Sequence, residues 1–198
     1  MSDPFCVGLE QVRRGDLAVA GGKAANLGEL LHAGFDVPPG FVVTTQAYRA
    51  AVGPARALDD VKLAGLPVDV ADAIRQAYRS MSDGPVAVRS SATAEDLPGA
   101  AFAGQQDTFL GVQGEDAVVE AVQACWASLF TDRAVAYRQR LGIDPAGVAM
   151  AVVVQAMVPA DVAGVMFTAD PVTGARDEVV IAAARGLGEA VVSGEVTP

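Results

Sequence analysis

Positive charge is scarce in this 198-residue sequence. Fourteen Lys and Arg face 24 Asp and Glu, a formal net charge of -10. That balance argues against holding a nucleic-acid backbone through bulk charge. Only two of the cations are lysines, Lys23 and Lys62, so where they stand carries information. Cysteine is equally sparse: Cys6 and Cys125 lie far apart and form no CxxC. With a single histidine, His32, no zinc cluster of Cys and His can be assembled. No apolar run approaches the roughly 20 residues that span a bilayer. The start, MSDPFCVGLEQVRRGD, lacks the basic, apolar and small-residue succession of a signal peptide. A reduced, cytoplasmic setting is the expectation, with neither membrane nor nucleic acid as partner. Internal repeats and low-complexity linkers are missing too.

What is present is an alternation of helical and strand patterns within about half apolar composition, enough for one domain or two small lobes. A short strand is expected near Cys6–Leu9 and a turn at Arg13–Asp16. Gly21-Gly22-Lys23 then opens a helix through AANLGELLHAG, with Ala25, Leu27, Leu30 and Leu31 as its apolar face and Gly34 as its C-terminal stop. Two glycines and a lysine at a helix start can gather backbone N–H groups, the helix dipole and an ammonium on an anion. A plain turn with a solvated lysine fits the same letters. It is not a Walker A loop, because Leu17 stands where the first glycine belongs and Ala24 replaces Ser or Thr. His32, late in that helix, reads as a solvated complement to the helix end.

Further on, Phe41–Thr44 reads as a strand and Thr45 as the cap of a helix through about Ala51. Gly53–Pro67 is a weakly patterned connection. Asp69–Met81 reads as a helix with Val70, Ile74, Ala77 and Tyr78 inward. Glu115–Leu141 carries the longest helical pattern, buried through Val118, Val122, Cys125, Trp126, Leu129 and Phe130. It breaks near Thr131-Asp132, and Arg133, Arg138 and Arg140 form a solvated, ion-paired face. Val148–Met157 has the length of a strand buried on both faces. Gln155 within it needs a partner, either a protein group or a ligand. Gly164–Thr168 and Glu178–Ala183 read as strands joined by the turn Asp170–Gly174. Gly186-Leu187-Gly188 begins like a dinucleotide fingerprint, but Val191 occupies the third glycine position, so a Rossmann site is discounted.

The densest signal lies in Val86–Leu110, VAVRSSATAEDLPGAAFAGQQDTFL. Val86–Val88 reads as a buried strand and Asp107–Leu110 as another, with a long loop of small and polar residues between them. Arg89 stands at the end of the first strand beside Ser90 and Ser91. A guanidinium and two hydroxyls suit phosphate oxygens. Equally, Arg89 can pin its own loop through Glu95 or Asp96.

VAVRSSATAEDLP with FAGQQDTFL, together with GGKAANLGEL, CWASLFTDRAVAYR, MFTADPVTG and GLGEAVVSGEVTP, resembles the ATP-binding domain shared by phosphoenolpyruvate synthase, pyruvate phosphate dikinase and rifampicin phosphotransferase. The resemblance runs over nearly the whole chain, and FTADPVTG looks nearer to the rifampicin phosphotransferase type. It implies a mixed α/β (α+β) fold: an incomplete ATP-grasp domain over 1–198, in which two lobes clamp a nucleotide, with the change of lobe somewhere in 97–112. It implies ATP as ligand, with Lys23 and Arg89 as cations on the phosphates. Gly104 and Thr108 would contact phosphates by backbone and hydroxyl, and Gln155 would orient the nucleotide.

The implied reaction is phosphoryl transfer from ATP through a carrier histidine on another domain to pyruvate or an antibiotic hydroxyl. His32 does not match that carrier motif. Carrier and acceptor domains are thus expected in a full-length protein. The resemblance also implies Mg2+, but its expected Glu and Gln ligands belong to a segment after Pro198. Glu95, Asp96, Asp170 and Glu189 do not match them. The alternative is a non-catalytic nucleotide-binding module or remnant.

Overall fold

A computed structural model describes residues 4–53, 65–81, 84–92, 108–140 and 148–192. It divides into two compact units, Met1–Met157 and Val158–Pro198. This division falls later in the chain than the 97–112 stretch. Residues 97–107 lie outside the described residues, and Thr108–Val112 is a strand in the sheet of the first unit.

The first unit is built on five strands: β1 (Cys6–Gly8), β2 (Gly40–Val43), β3 (Val86–Ala92), β4 (Thr108–Val112) and β5 (Met150–Ala156). Their order is β1-β2-β5-β3-β4, and every recorded pairing is antiparallel. The apolar run of β5 takes the central place, as its two-sided hydrophobicity requires, and Met150 through Gln155 are all buried.

β3 is longer than the sequence implied. It pairs with β5 over seven residues, from Val86↔Ala156 to Ala92↔Met150. Arg89, Ser90 and Ser91 are therefore inside the strand and not at the start of a loop. The ladder to β5 takes up the backbone groups that point toward it along this stretch, which outweighs the modest strand preference of serine.

One sheet face is covered by helices. α2 (Thr45–Val52), α3 (Val68–Ser80) and α4 (Glu115–Ser128) pack against it, with Phe41, Val43, Val86, Val88, Val152 and Val154 among the sheet residues in the core. Trp126, fully buried, donates its indole N–H to the Met150 carbonyl at 3.0 Å and meets Tyr48 edge-on at 5.9 Å. The Tyr78 hydroxyl donates to Gly84 O (2.9 Å) and accepts from Gly114 N (3.0 Å), tying α3 to the entries of β3 and α4.

The helical cap before α2 is Thr44, whose hydroxyl accepts from Ala47 N, and not Thr45. α5 (Asp132–Arg140) follows the break foreseen near Thr131, with the Thr131 hydroxyl capping Ala134 N. Arg138 departs from the solvated face expected of it. It is 6% exposed and donates to Leu129 O at the end of α4, while burial pushes its pKa below the ordinary arginine range.

α1 (Leu17–His32) covers part of the opposite face through Ala20 and Ala24, which pack with Leu9, Val12, Val42, Ala151 and Val153. The buried positions of α1 are Ala20, Gly21, Gly22, Ala24, Ala25 and Gly28, while Leu30 is 42% exposed. The fully buried stripe is thus made of small residues, with Leu27 and Leu31 partly buried against the same cluster and Leu30 turned outward. At Gly28 an added Cβ would overlap the Val12 carbonyl, so close approach is what this stripe serves.

The second unit holds the antiparallel hairpin β6 (Val162–Phe167) and β7 (Val180–Arg185), followed by the short α6 (Glu189–Val192). The turn foreseen at Asp170–Gly174 is present. Asp170 accepts from Val172 N (2.7 Å) and Thr173 N (3.2 Å), which holds its carboxyl below the usual carboxylate range. Val162, Met166 and Ile181 share one exposed face of the hairpin.

Candidate functional site

Side chains directly opposite each other in an antiparallel ladder share a face. Arg89 stands opposite Val153 on one side and Thr108 on the other. Ala87 stands opposite Gln155, and Gln155 opposite Gly40. Arg89, Thr108 and Gln155 therefore project from one sheet face, the face that α1 covers only in part. Gly40 adds no side chain beside Gln155, and a Cβ there would meet the Val154 carbonyl at 2.5 Å.

The register also separates the two serines. Ser90 stands opposite Val152, on the face packed by α2, α3 and α4. It is 1% exposed, so its hydroxyl is not offered beside the guanidinium. Ser91 shares the Arg89 face but is fully buried against α1: its hydroxyl donates to Ala20 O at 2.9 Å and accepts from Ala24 N at 3.3 Å. The expected cluster of one guanidinium and two hydroxyls thus reduces to Arg89.

Lys23 is partly buried in α1, next to Ala24. Its helix is not continuous. Gly21 adopts φ 74° and ψ 170°, a break between the turn Leu17–Ala20 and the helix that resumes at Gly22. Gly-Gly-Lys consequently does stand at a helix start, though a further helical turn precedes it. Because Ala24 bonds to Ser91, the backbone carrying Lys23 is fastened to β3 two residues from Arg89.

Gln155 is 7% exposed, and its Nε2 donates to Pro38 O at 3.0 Å. A proline carbonyl can only accept, so the orientation of the carboxamide is fixed: NH2 toward Pro38, Oε1 away from it. His32 is exposed at the end of α1, with Nδ1 2.6 Å from Gly28 O and 2.8 Å from Arg13 Nη1. One nitrogen cannot donate and accept at once. The Nδ1–H tautomer, donating to Gly28 O, leaves Arg13 its bonds to the Glu10 and Val12 carbonyls.

Gly104, Glu95 and Asp96 lie outside the described residues. Among the described residues, no three of His, Cys, Asp and Glu come together in a cluster that could hold a metal ion. A cavity of about 530 Å³, lined by Cys6, Glu10, Pro39, Phe41 and Met81, includes none of Lys23, Arg89, Thr108 or Gln155. No helix among the described residues is long and apolar enough to cross a membrane.

The first unit is a mixed sheet-and-helix domain of the α+β class, with an arginine, a threonine and an oriented amide on one sheet face. Residues 17–62 and 54–198 match the family described as the pyruvate phosphate dikinase AMP/ATP-binding domain, and the chain belongs to it. It is 44% identical to a probable phosphoenolpyruvate synthase of Methanocaldococcus jannaschii, over 98% of this chain and 19% of that protein. Identity to the phosphoenolpyruvate synthase of Pyrococcus furiosus is 40%, over 100% of this chain and 32% of the relative. Identity to a rifampicin phosphotransferase of Streptomyces sviceus is 45%, over 100% of this chain and 26% of the relative. The chain thus spans from about a fifth to about a third of the length of these relatives, which carry further domains.

Proposed function

We propose that this chain is the ATP-holding portion of a phosphotransferase that cleaves ATP and passes a phosphoryl group, through a carrier histidine on another domain, to pyruvate or an antibiotic hydroxyl. The observation that carries the reading is the placement of Arg89, Thr108 and Gln155 on one sheet face, with the Lys23 backbone fastened to the same strand as Arg89. Phosphoryl transfer depends mainly on positioning and on neutralising phosphate charge. Arg89 and Lys23 supply the cations here, at the end of the face nearer Ser91. Thr108 offers a hydroxyl beside Arg89, and Gly104 a backbone contact.

Gln155, two register positions from Arg89 and flanked by Val153 and Gly40, stands at the neutral end suited to a base. Its Oε1 accepts from an exocyclic amine. Turning the amide to serve a 6-oxo purine would set Oε1 against the Pro38 carbonyl and lose that hydrogen bond. Two lobes clamping the nucleotide in the ATP-grasp manner complete the reading.

Calorimetric titration of the purified chain with ATP tests the proposal. The expected result is binding that weakens in both Lys23→Ala and Arg89→Ala. Binding absent in the folded wild-type chain, or unchanged in both variants, overturns it.

A further inference from the structure

The break in α1 is mended by a side chain from another strand. In an unbroken helix, Ala24 N–H would donate to Ala20 O, four residues back. At Gly21 that rung is opened, and the Ser91 hydroxyl occupies it, donating to Ala20 O (2.9 Å) and accepting from Ala24 N (3.3 Å). A hydroxyl holds one proton and has lone pairs to spare, so one atom replaces both halves of the lost bond. Insertion of a side chain into the hydrogen-bond ladder is a recognised cause of helix kinks. The fit is close: a Cβ at Gly21 would overlap the Ser91 carbonyl oxygen, and Ala20, Ala24 and Ser91 are all fully buried. A neighbouring hydroxyl does related work, with Thr45 donating to Ala18 O at 2.8 Å.

We infer that Ser91 is a positioning residue for the phosphate end of the site, acting through Lys23 and not by touching the nucleotide. Its hydroxyl is spent on both sides of the break. Lys23 lies between Gly21 and Ala24, so the clasp fixes where its backbone begins the resumed helix relative to Arg89 on the same strand. The inference rests on the nucleotide reading above for its functional half; the clasp itself does not.

The experiment therefore has two arms. Backbone amide exchange followed by NMR on the full chain reads the clasp without any ligand. Ser91→Ala should speed exchange at Ala24 by about tenfold or more, the scale of one lost hydrogen bond, while the amides of β5 keep their protection. ATP affinity reads the function. Ser91→Ala should weaken binding about tenfold, on the scale of one such bond, and should cause no further loss when Lys23→Ala is already present, the non-additivity of coupled residues.

Equal losses in both backgrounds would mean that Ser91 contacts the phosphates directly, and would overturn the inference. Unchanged exchange at Ala24 would overturn the clasp. If wild-type chain does not bind ATP, the nucleotide reading and the functional half of the inference fail together, and Ala24 exchange still decides the clasp. Should Ser91→Ala not fold, the nearly isosteric Ser91→Cys, a weak donor and acceptor, must shift exchange and affinity in the same direction.

Discussion

At the scale of single residues, Arg89 and Gln155 carry the most information. Arg89→Ala should cost about 1.5–3 kcal/mol of ATP affinity, the range for a hydrogen bond to a charged group, with circular dichroism unchanged. An unaltered titration would reduce Arg89 to a structural contact. Gln155 makes a prediction about the base. Because Pro38 O fixes the amide, ATP should bind more tightly than inosine triphosphate by about 1–3 kcal/mol, the cost of a polar group left unpaired. Equal affinities would show that the base is not read there. Cys6 gives a prediction in pH. Burial pushes its thiol from 9.0 up to about 12. A raised folded-state value means that the unfolded chain loses its proton first. The stability due to the buried neutral thiol is complete below pH 9 and is lost as pH rises toward 12. Urea unfolding should show a decline over that interval that is shallower in Cys6→Ala. The remaining slope includes Tyr48, whose hydroxyl is also pushed up by burial.

At the scale of elements, α1 and β3 decide the geometry. Gly21→Ala combines a φ of 74° with a Cβ that has no room against Ser91. Such strain costs about 1–3 kcal/mol, and the overlap adds to it, so the thermal midpoint should fall clearly. A midpoint equal to wild type would mean that α1 does not need its break. Gly15, with open space around its Cα and no positive φ, is the control expected to tolerate alanine. The ion pairs joining α3 to α4, Arg75 with Asp116 at 2.9 Å and Arg79 with Glu115 at 2.8 Å, are exposed and contribute little beside the packed faces of the same helices.

At the scale of the whole molecule, the exposed apolar face of the β6–β7 hairpin contrasts with the helix-covered face of the first unit's sheet. A two-stranded hairpin is marginal by itself. The second unit should therefore open at lower urea than the first, seen as loss of amide protection at Val165 and Ala182 before Val152 and Val154. Simultaneous loss would show that the two units fold as one.

The letters alone determined much of this. The β5 run, the burial of Val118, Val122, Cys125 and Trp126, the break at Thr131 and the Asp170 turn are local patterns whose period or composition admits few alternatives. Family membership was legible for the same reason, since its motifs are long and contiguous. Other features depended on partners distant in sequence. That β3 continues through Ser91 follows from a ladder to residues some sixty positions later. Arg138 turned inward because the end of α4 offered it a carbonyl. Small residues of α1 are the ones fully buried there because they admit close backbone approach, with Leu27 and Leu31 partly buried beside them. Above all, tertiary structure decided the fate of the two serines beside Arg89. Alternation along β3 sent Ser90 into the apolar core, and the break at Gly21 claimed the Ser91 hydroxyl, because a buried open rung of a helix must be satisfied by whatever donor and acceptor lies against it.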